Sequence, residues 1–236
     1  MSKHSLKGTG VAIVTPFDNT GKVDSAALSA IVKHLHAGKV EYIVVLGTTG
    51  ESVTLSKEEK KTVMDTVIKA NGKKLPLVLG IGGNNTQEVI DTIRSTDLKP
   101  FEAILSVAPY YNKPSQEGYY QHFKAISRST KKDIILYNVP GRTGSNVTWE
   151  TQVRIARDCK NIIATKEASG NMEQVMKVIK NKPKDFLVLS GDDSLTLPII
   201  AAGGHGVISV VANAFPKDFS EMVRLSLKHK FTEAQK

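Results

Sequence analysis

One lysine in this sequence is placed where a side-chain amine could do chemistry. Lys166 follows the apolar run Asn161-Ile162-Ile163-Ala164-Thr165, so its side chain leaves the end of a predicted buried strand. A lysine amine is a nucleophile only when it is neutral, and desolvation lowers its pKa toward working pH. Such an amine could form an imine with a carbonyl substrate. The alternative is a structural ion pair of Lys166 with Glu167 or Asp192.

Hydroxyl groups and one arginine fall at similar positions, where a predicted strand gives way to a loop. Tyr137 ends the strand that precedes the lysine strand, and its phenol could pass a proton to and from a carbinolamine. Thr48 and Thr49 lie in a glycine-flanked turn whose hydroxyl and N–H groups could bind an anion. The guanidinium of Arg142 suits a carboxylate. The structural alternatives are a core tyrosine, a tight turn and an exposed loop arginine.

Other polar and aromatic residues carry weaker signals. Tyr110 and Tyr111 precede a polar loop, so we expect them to lie in an interface or a pocket. His205, between two glycines, is more typical of a structural histidine. We expect no metal site, because the histidines are dispersed and the single cysteine, Cys159, cannot build a cysteine-based zinc site.

Composition restricts the class of protein. The 236 residues are 40% hydrophobic, which excludes disordered and low-complexity classes. No apolar stretch approaches the ~18–20 residues of a membrane span, and the start MSKHSLKGTG lacks the apolar centre of a signal peptide. The net charge of +9 comes from basic residues on predicted exposed helix faces, with an anionic partner as the alternative. We therefore expect a cytoplasmic globular protein with neither nucleic acid nor membrane as a partner.

Short β-branched segments alternate with longer amphipathic segments along the whole chain. The predicted strands show little polar–apolar alternation, which is typical of strands buried on both faces. They are Val11–Thr15, Tyr42–Leu46, Leu77–Ile81, Ala103–Val107, Ile134–Asn138, Ile162–Lys166, Phe186–Ser190 and Gly206–Val210. Helical patterns begin at or near Asp24, Ser56, Thr86, Ser115, Thr148, Asn171, Ser194 and Pro216. Eight strand–helix pairs favour an α/β fold of the (β/α)8 TIM-barrel type over a doubly wound sheet, which would carry a glycine-rich phosphate turn after its first strand.

In a TIM barrel the carboxyl ends of the strands and the loops that follow them form the active site. The lysine, tyrosines, threonines and arginine singled out above fall at those ends or in the loops that follow them, together with a few other residues from the last two strands. Those others include Gly191, Asp192, Asp193, Ile208 and Ser209. The fold thus predicts that residues far apart in sequence meet at one end of the barrel.

Five motifs, in this order along the chain, resemble those of a known family. They are Gly47-Thr48-Thr49-Gly50-Glu51, Pro109-Tyr110-Tyr111-Asn112, Tyr137-Asn138-Val139-Pro140-Gly141-Arg142-Thr143-Gly144, Lys166-Glu167-Ala168 and Gly203-Gly204-His205-Gly206-Val207-Ile208-Ser209. The whole sequence resembles the 4-hydroxy-tetrahydrodipicolinate synthases, also called dihydrodipicolinate synthases, which are class I pyruvate-dependent aldolases on a TIM barrel. The resemblance implies a lyase of lysine and diaminopimelate biosynthesis. It would condense pyruvate with L-aspartate 4-semialdehyde without a metal or an organic cofactor.

The resemblance also implies catalytic roles. Lys166 would form the covalent imine with pyruvate, and Tyr137 would be the general acid and base. Thr48 would relay the proton to Tyr111, which in the family comes from the neighbouring subunit. A homodimer or a homotetramer built as a dimer of dimers is therefore expected.

Substrate-binding roles follow from the same resemblance. Thr49 would bind the pyruvate carboxylate, Arg142 would bind the carboxylate of the aldehyde substrate, and Gly191 and Ile208 would line the pocket. The alternatives are a related pyruvate-forming keto-acid lyase, such as N-acetylneuraminate lyase, and a truncated barrel that binds pyruvate without turnover. Arg142 favours the synthase, because a polyhydroxylated substrate needs no carboxylate clamp at this position.

Lysine inhibits many members of the family at a dimer interface. The matching positions are Ser52, Leu55, Lys57, Lys60, Asn84, Glu88 and Tyr110. Lys57 and Lys60 stand where lysine-sensitive enzymes have histidines. Two ammonium groups would repel a third by about 1 kcal/mol or more. We therefore expect weak or absent inhibition by lysine.

The end of the sequence differs from the family pattern. Family members continue past the barrel into a C-terminal helical extension, whereas the eighth predicted helix, Pro216–Lys230, is followed here only by residues up to Lys236. We expect one TIM-barrel domain over residues 1–236, ending just after the eighth barrel helix, with the extension missing.

Overall fold

Eight parallel strands close into a barrel in the computed structural model, which describes residues 6–236. Residues 1–5, which include His4 and the first half of the start MSKHSLKGTG, lie outside the described residues. Each strand pairs with its neighbours in sequence, and β8 pairs with β1, so the predicted TIM barrel is confirmed. The strands are β1 Gly8–Ala12, β2 Tyr42–Val45, β3 Leu77–Gly80, β4 Ala103–Val107, β5 Asp133–Asn138, β6 Ile162–Glu167, β7 Leu187–Ser190 and β8 Gly206–Ser209.

Helices follow the strands on the outside of the barrel. They are α1 Ser25–Ala37, α2 Lys57–Asn71, α3 Thr86–Ser95, α4 Gln116–Ser129, α5 Pro140–Thr143, α6 Trp149–Asp158, α7 Met172–Asn181, α8 Thr196–Ala201, α9 Pro216–Leu227 and α10 Phe231–Ala234. Two short helices, α5 and α10, were not predicted. Helix α9 ends before the predicted Lys230, and α10 begins directly after that residue. In the described part of the chain, no helix is both long enough and apolar enough to cross a bilayer.

Side-chain caps fix where several helices begin. The Asp24 carboxylate accepts hydrogen bonds from the N–H groups of Ala26 and Ala27. Ser56 and Glu59 form a reciprocal capping box at the start of α2. Such caps satisfy N–H groups that have no partner inside the helix. The helices therefore start directly after the capping residues that the sequence predicts.

The first strand lies three residues earlier than predicted, at Gly8–Ala12 instead of Val11–Thr15. The glycines of this segment weaken its strand signal in the sequence, since glycine is a poor strand former. The barrel requires them nonetheless: a Cβ on Gly10 would lie 2.1 Å from the ring of Tyr42. Thr15 lies beyond the strand, and its hydroxyl donates to the carbonyl of Gly50 at 2.7 Å.

Alternation along the strands separates two apolar layers. Ile134 and Leu136 of β5 pack in the layer shared with helix side chains, whereas Ile135 and Tyr137 pack inside the barrel. Leu189 and Ile208 belong to the same inner layer. A side chain that points inward near the carboxyl end of a strand therefore packs against branched apolar residues.

Candidate active site

The side chain of Lys166 lies inside the barrel near the carboxyl end of β6, and the residue is 4% exposed. Lys166 is paired in register with Tyr137 on β5, and its Nζ lies 4.3 Å from the centroid of the Tyr137 ring. Burial lowers the pKa of Lys166 to about 8, against a weaker opposing effect of Asp193. The positive charge of Arg142 lowers the pKa further. The amine is therefore partly neutral near physiological pH.

Neither of the two carboxylates considered as ion-pair partners holds Lys166. Glu167, the next residue on β6, accepts hydrogen bonds from three amide side chains behind the strand. Asp192 accepts a hydrogen bond from the hydroxyl of Ser194 at 3.2 Å. Among the described residues, no carboxylate lies within ion-pair distance of the Lys166 amine. The structural ion pair is therefore the wrong interpretation.

Tyr137 is buried at the end of β5, with its ring against Lys166. Burial raises the pKa of its phenol, while a side-chain hydrogen bond with Thr48 and the charge of Arg142 oppose that rise. The phenol is consequently protonated at neutral pH and can give a proton to a group that forms on the lysine.

Gly191, just after β7, leaves the space that the lysine side chain occupies. A Cβ at this position would lie 3.1 Å from both Cγ and Cε of Lys166 and 2.7 Å from Cβ of Ala168. The Gly191 N–H donates to the Glu167 carbonyl at 2.8 Å, which holds the loop against β6. Ile208 of β8 is fully buried and lies in the inner apolar layer of the barrel.

The Thr48–Gly50 segment forms a short 3-10 turn after β2. Thr48 is exposed and Thr49 is half-buried. Left-handed backbone flanks the turn at Leu46 and Glu51. Gly50 itself does not have a positive φ, but a Cβ there would lie 3.1 Å from the carbonyl oxygen of Ile13. The turn thus presents both threonines at the carboxyl end of the barrel.

Arg142 lies in α5, a single turn that follows β5, and its side chain is exposed. Gly144 ends this turn in a left-handed conformation. The Thr143 hydroxyl donates to the Ser145 carbonyl at 2.7 Å and secures the chain after the turn. The guanidinium lies close enough to the barrel interior to lower the pKa of Lys166. A flexible, charged side chain at the pocket mouth can meet an incoming carboxylate.

Tyr110 and Tyr111 lie on the loop after β4. Tyr110 is half-buried, whereas Tyr111 is 87% exposed and has a φ of 70°. Among the described residues, Thr48 has a side-chain hydrogen bond with the Tyr137 phenol, and no hydrogen bond extends from it to Tyr111. The placement of Tyr111 in an interface between subunits stays a prediction.

The residues of the expected lysine site lie around three loops at the same end of the barrel. Lys57, the first residue of α2, is exposed, and Lys60 is half-buried. Ser52 is half-buried, Leu55 belongs to the apolar core and Glu88 is exposed on α3. The Asn112 side chain donates to the Asn84 carbonyl at 3.4 Å, so the loops that carry Asn84 and Tyr110 are in contact.

Asp193 is the residue near the lysine whose role the sequence did not reveal. Its Oδ2 accepts from the N–H groups of Val210 and Val211 at 3.0 and 2.9 Å. Its Oδ1 is buried without a hydrogen-bond partner among the described residues. Its charge raises the pKa of Lys166 and so moderates the effect of burial. The only sequence signal was its position next to Gly191 and Asp192.

His205 has the structural role that its position favoured. Its Nδ1 accepts a hydrogen bond from the Val188 N–H at 3.1 Å, and burial lowers its pKa to about 4. Within residues 6–236, no cluster of three or more His, Cys, Asp or Glu side chains could hold a metal ion.

Comparison with known proteins places this site in a family. The model of the dihydrodipicolinate synthetase family matches residues 5–236. The 4-hydroxy-tetrahydrodipicolinate synthase of Flavobacterium psychrophilum is 58% identical over 227 residues, which are 96% of this chain and 78% of that protein.

Two solved structures have closely similar folds. The chloride-inhibited dihydrodipicolinate synthase from Acinetobacter baumannii, complexed with pyruvate, is 40% identical with a TM-score of 0.93, over 98% of this chain and 79% of that chain. The enzyme from Cyanidioschyzon merolae with lysine bound is 38% identical with a TM-score of 0.91, over 98% of this chain and 80% of that chain.

The eight-stranded parallel barrel and the similarity to these relatives define a lyase of the class I aldolase type. The chain belongs to the dihydrodipicolinate synthetase family.

Proposed function

We propose that this enzyme condenses pyruvate with L-aspartate 4-semialdehyde to 4-hydroxy-tetrahydrodipicolinate, a step of lysine and diaminopimelate biosynthesis. The observation that carries the proposal is the buried Lys166 amine, with a pKa lowered to about 8, against the ring of Tyr137. A partly neutral amine beside a protonated phenol is what imine formation with a keto acid requires. The names of the relatives and the pyruvate bound to one of them support the choice of substrates.

The reaction begins on the lysine. The neutral Lys166 amine attacks C2 of pyruvate, and the carbinolamine loses water when Tyr137 protonates the leaving hydroxyl. The resulting iminium withdraws electrons, so the pyruvate methyl group loses a proton to the Tyr137 phenolate and an enamine forms. The enamine carbon attacks the aldehyde carbon of the second substrate, the iminium returns, and Tyr137 gives its proton to the new alkoxide. The amino group of that substrate then adds to C2, and the Lys166 amine leaves as the ring closes. The covalent imine serves as the electron sink, so the proposal uses no metal or organic cofactor.

The remaining site residues bind the substrates in this proposal. The Thr49 hydroxyl and N–H hold the pyruvate carboxylate, and Gly191 and the carbonyl of Ile208 line the pocket beside the imine. Arg142, exposed at the pocket mouth, binds the carboxylate of the aldehyde substrate. A bidentate pair of this kind fixes the orientation of the incoming aldehyde.

Tyr111 completes the proton relay from a second subunit. Its 87% exposure in the single chain supports this assignment, because a large aromatic side chain is seldom left bare on a polar loop. We therefore propose a homodimer, alone or within a homotetramer, in which Thr48 connects Tyr137 to the partner's Tyr111. Mixing a Lys166→Ala variant with a Tyr111→Phe variant then restores activity, because each hybrid dimer contains one complete site. Without exchange of Tyr111, the mixture stays inactive.

The test of the proposed function is an assay with both substrates. The purified protein is expected to consume L-aspartate 4-semialdehyde only when pyruvate is present and to form a cyclic product. N-Acetylneuraminate serves as the control substrate and is expected to release no pyruvate. Imine formation without consumption of the aldehyde would instead assign the chain to binding without turnover.

A further inference from the structure

A buried hydrogen-bond network lies behind the lysine strand, on the face of β6 that points away from the barrel interior. Its centre is Glu167, which is 1% exposed. The donors to the two carboxylate oxygens are Asn138 Nδ2 at 3.0 and 3.2 Å, Gln152 Nε2 at 2.6 Å, Gln174 Nε2 at 3.1 Å and the Ser169 N–H at 2.9 Å. Every one of these groups donates, so the site is complementary to a carboxylate and to no neutral side chain of the same shape.

The network holds the backbone on both sides of Lys166. Thr165 and Glu167 both point behind the strand, because side chains alternate along it and Lys166 points inward. The Thr165 hydroxyl donates to Oε1 of Gln152 at 2.8 Å, and the amide of the same Gln152 donates to Glu167. One buried glutamine thus connects the residue before the lysine to the residue after it.

The same network reaches the strand that carries the tyrosine. Asn138 follows Tyr137 on β5, is fully buried and donates to both oxygens of Glu167. The two residues are register partners, as Tyr137 and Lys166 are. The direct hydrogen bond between Asn138 and Glu167 on the outer face of the sheet therefore helps to fix the spacing between Tyr137 and Lys166 on the inner face.

A third branch holds the segment after the Arg142 turn. The Asn138 side chain donates to Oδ1 of Asn146 at 2.8 Å and accepts from the Val147 N–H at 3.0 Å. Gln174 of α7 exchanges hydrogen bonds with Asn146 at 2.7 and 3.1 Å. The segment that follows the Arg142 turn is thus hydrogen-bonded to the network that joins β5 and β6, the strands of Tyr137 and Lys166.

We propose that Glu167 is a positioning residue for the reaction. Its carboxylate binds Asn138 of β5 directly and, through Asn138 and Gln174, connects to Asn146 after the Arg142 turn. It thereby sets the relative placement of Lys166, Tyr137 and Arg142. The inference rests on the proposed function. Glu167 acts through the backbone, since its side chain lies behind β6 and the amine lies in front. A displacement of about 1 Å between reacting groups can slow a reaction by about a hundredfold, so a tie of this kind has catalytic consequences.

Stability alone is a weak reason for a charge at this position. A buried carboxylate loses its hydration, and replacing such a group with well-packed neutral residues is often neutral or stabilising. A satisfied polar network instead specifies one arrangement of the elements that it joins. The placement of the network directly behind the candidate nucleophile agrees with that second role.

The test compares Glu167→Gln with the unmodified protein in the rate at which pyruvate and borohydride trap the lysine. Glutamine has nearly the same shape but turns one acceptor into a donor that faces other donors. The expected result is trapping that is at least about tenfold slower per folded molecule. The pH midpoint of trapping is expected to move upward, because a displaced amine is better hydrated. The groups that face Lys166 and would share in this titration are Tyr137, Asp193 and Arg142.

A matched control directly precedes the same strand, at the opposite end of the barrel. Asn161, just before β6, donates to the carbonyls of Ser127, Thr130 and Lys132. Asn161→Ala also removes a multiply bonded amide and lowers thermal stability, but it leaves the trapping rate and its pH midpoint unchanged. A purely structural role for Glu167 would give the two variants the same behaviour: a lower Tm with unaltered chemistry in the folded fraction.

A second variant keeps the proposal testable if Glu167→Gln does not fold. Thr165→Val removes one hydroxyl from the network and leaves Oε1 of Gln152 without that donor. If Glu167→Gln does not fold, slower trapping and a raised midpoint in Thr165→Val support the proposal, and unchanged values overturn it. The unmodified protein separates the two hypotheses. If its lysine is trapped and the variants are trapped at the same rate, only the positioning role is rejected. If the unmodified protein gives no trapping, the proposed function is rejected.

Discussion

Lys166 and Tyr137 are register partners on neighbouring strands, and the lysine Nζ lies 4.3 Å from the centroid of the tyrosine ring. In its ammonium form the lysine is attracted to the face of the ring. In its neutral form it is a nucleophile beside a phenol. Because parallel pairing brings the two residues to the same level of the barrel, the phenol proposed as the acid–base group lies beside the amine before any substrate arrives.

The pH dependence of imine formation follows from the burial of the lysine. Burial lowers the pKa of Lys166 from 10.5 to about 8, so the neutral amine is populated at lower pH than for an exposed lysine. The rate of reductive trapping with pyruvate should therefore rise with pH and level off above about 8. The raised pKa of Tyr137 keeps its phenol protonated over this range. A midpoint near the ordinary value of 10.5 would show that the amine is solvated.

Gly191→Ala tests whether space beside the lysine matters. The new Cβ would lie 3.1 Å from Lys166 Cε and 2.7 Å from Ala168 Cβ, so the lysine must shift. We expect trapping to slow by about 10- to 100-fold, with about 1–3 kcal/mol lost from the free energy of unfolding. Gly83→Ala is the matched control, because its Cβ meets only Val89 at an ordinary 3.4 Å. Equal trapping rates in the two variants would argue against a packed lysine pocket.

Arg142→Ala separates aldehyde binding from imine formation. Loss of a hydrogen bond to a charged group costs about 1.5–3 kcal/mol, so kcat/KM for the aldehyde should fall about 10- to 150-fold. Trapping with pyruvate alone should persist, with its pH midpoint moved slightly upward, since the charge of Arg142 lowers the pKa of Lys166. Arg142→Lys should be intermediate, because it keeps the charge and loses the bidentate geometry. An unchanged KM for the aldehyde would remove Arg142 from the substrate site.

Lysine should bind this protein weakly or not at all. Lys57 is exposed at the start of α2 and Lys60 is half-buried one turn later, so both ammonium groups stand where the resemblance places histidines. Repulsion of about 1 kcal/mol or more per close pair opposes a cationic ligand. Isothermal titration should detect no tight binding, and the Lys57→His, Lys60→His double variant should bind lysine more strongly. Micromolar binding by the unmodified protein would refute the prediction.

Strands that consist of apolar β-branched runs could be predicted from the sequence, and β4 has the predicted bounds, Ala103–Val107. The order of strands then placed Tyr137 beside Lys166. The start of β1 could not be predicted, because the glycines that weaken its strand signal are required by the ring of Tyr42. The single turn α5 was missed for a related reason: four residues carry too little periodicity to show a helix.

The contacts around the site depended on tertiary structure. Asp192 was considered as a partner of Lys166, yet Asp193 is the carboxylate whose charge affects its pKa. Adjacent residues on a strand point to opposite faces, so Glu167 could have been recognised as facing away from Lys166. Its partners Gln152 and Gln174 come from helices, and no local pattern relates them to the strand.

Reductive trapping tests the assignment of Lys166 most directly: the folded protein is incubated with pyruvate and borohydride, its intact mass is measured and its peptides are mapped. We predict one reduced pyruvyl adduct, located on Lys166 and absent from a Lys166→Ala variant. A folded protein that gives no adduct, or an adduct on a different lysine, would contradict the assignment of Lys166 as the imine-forming residue.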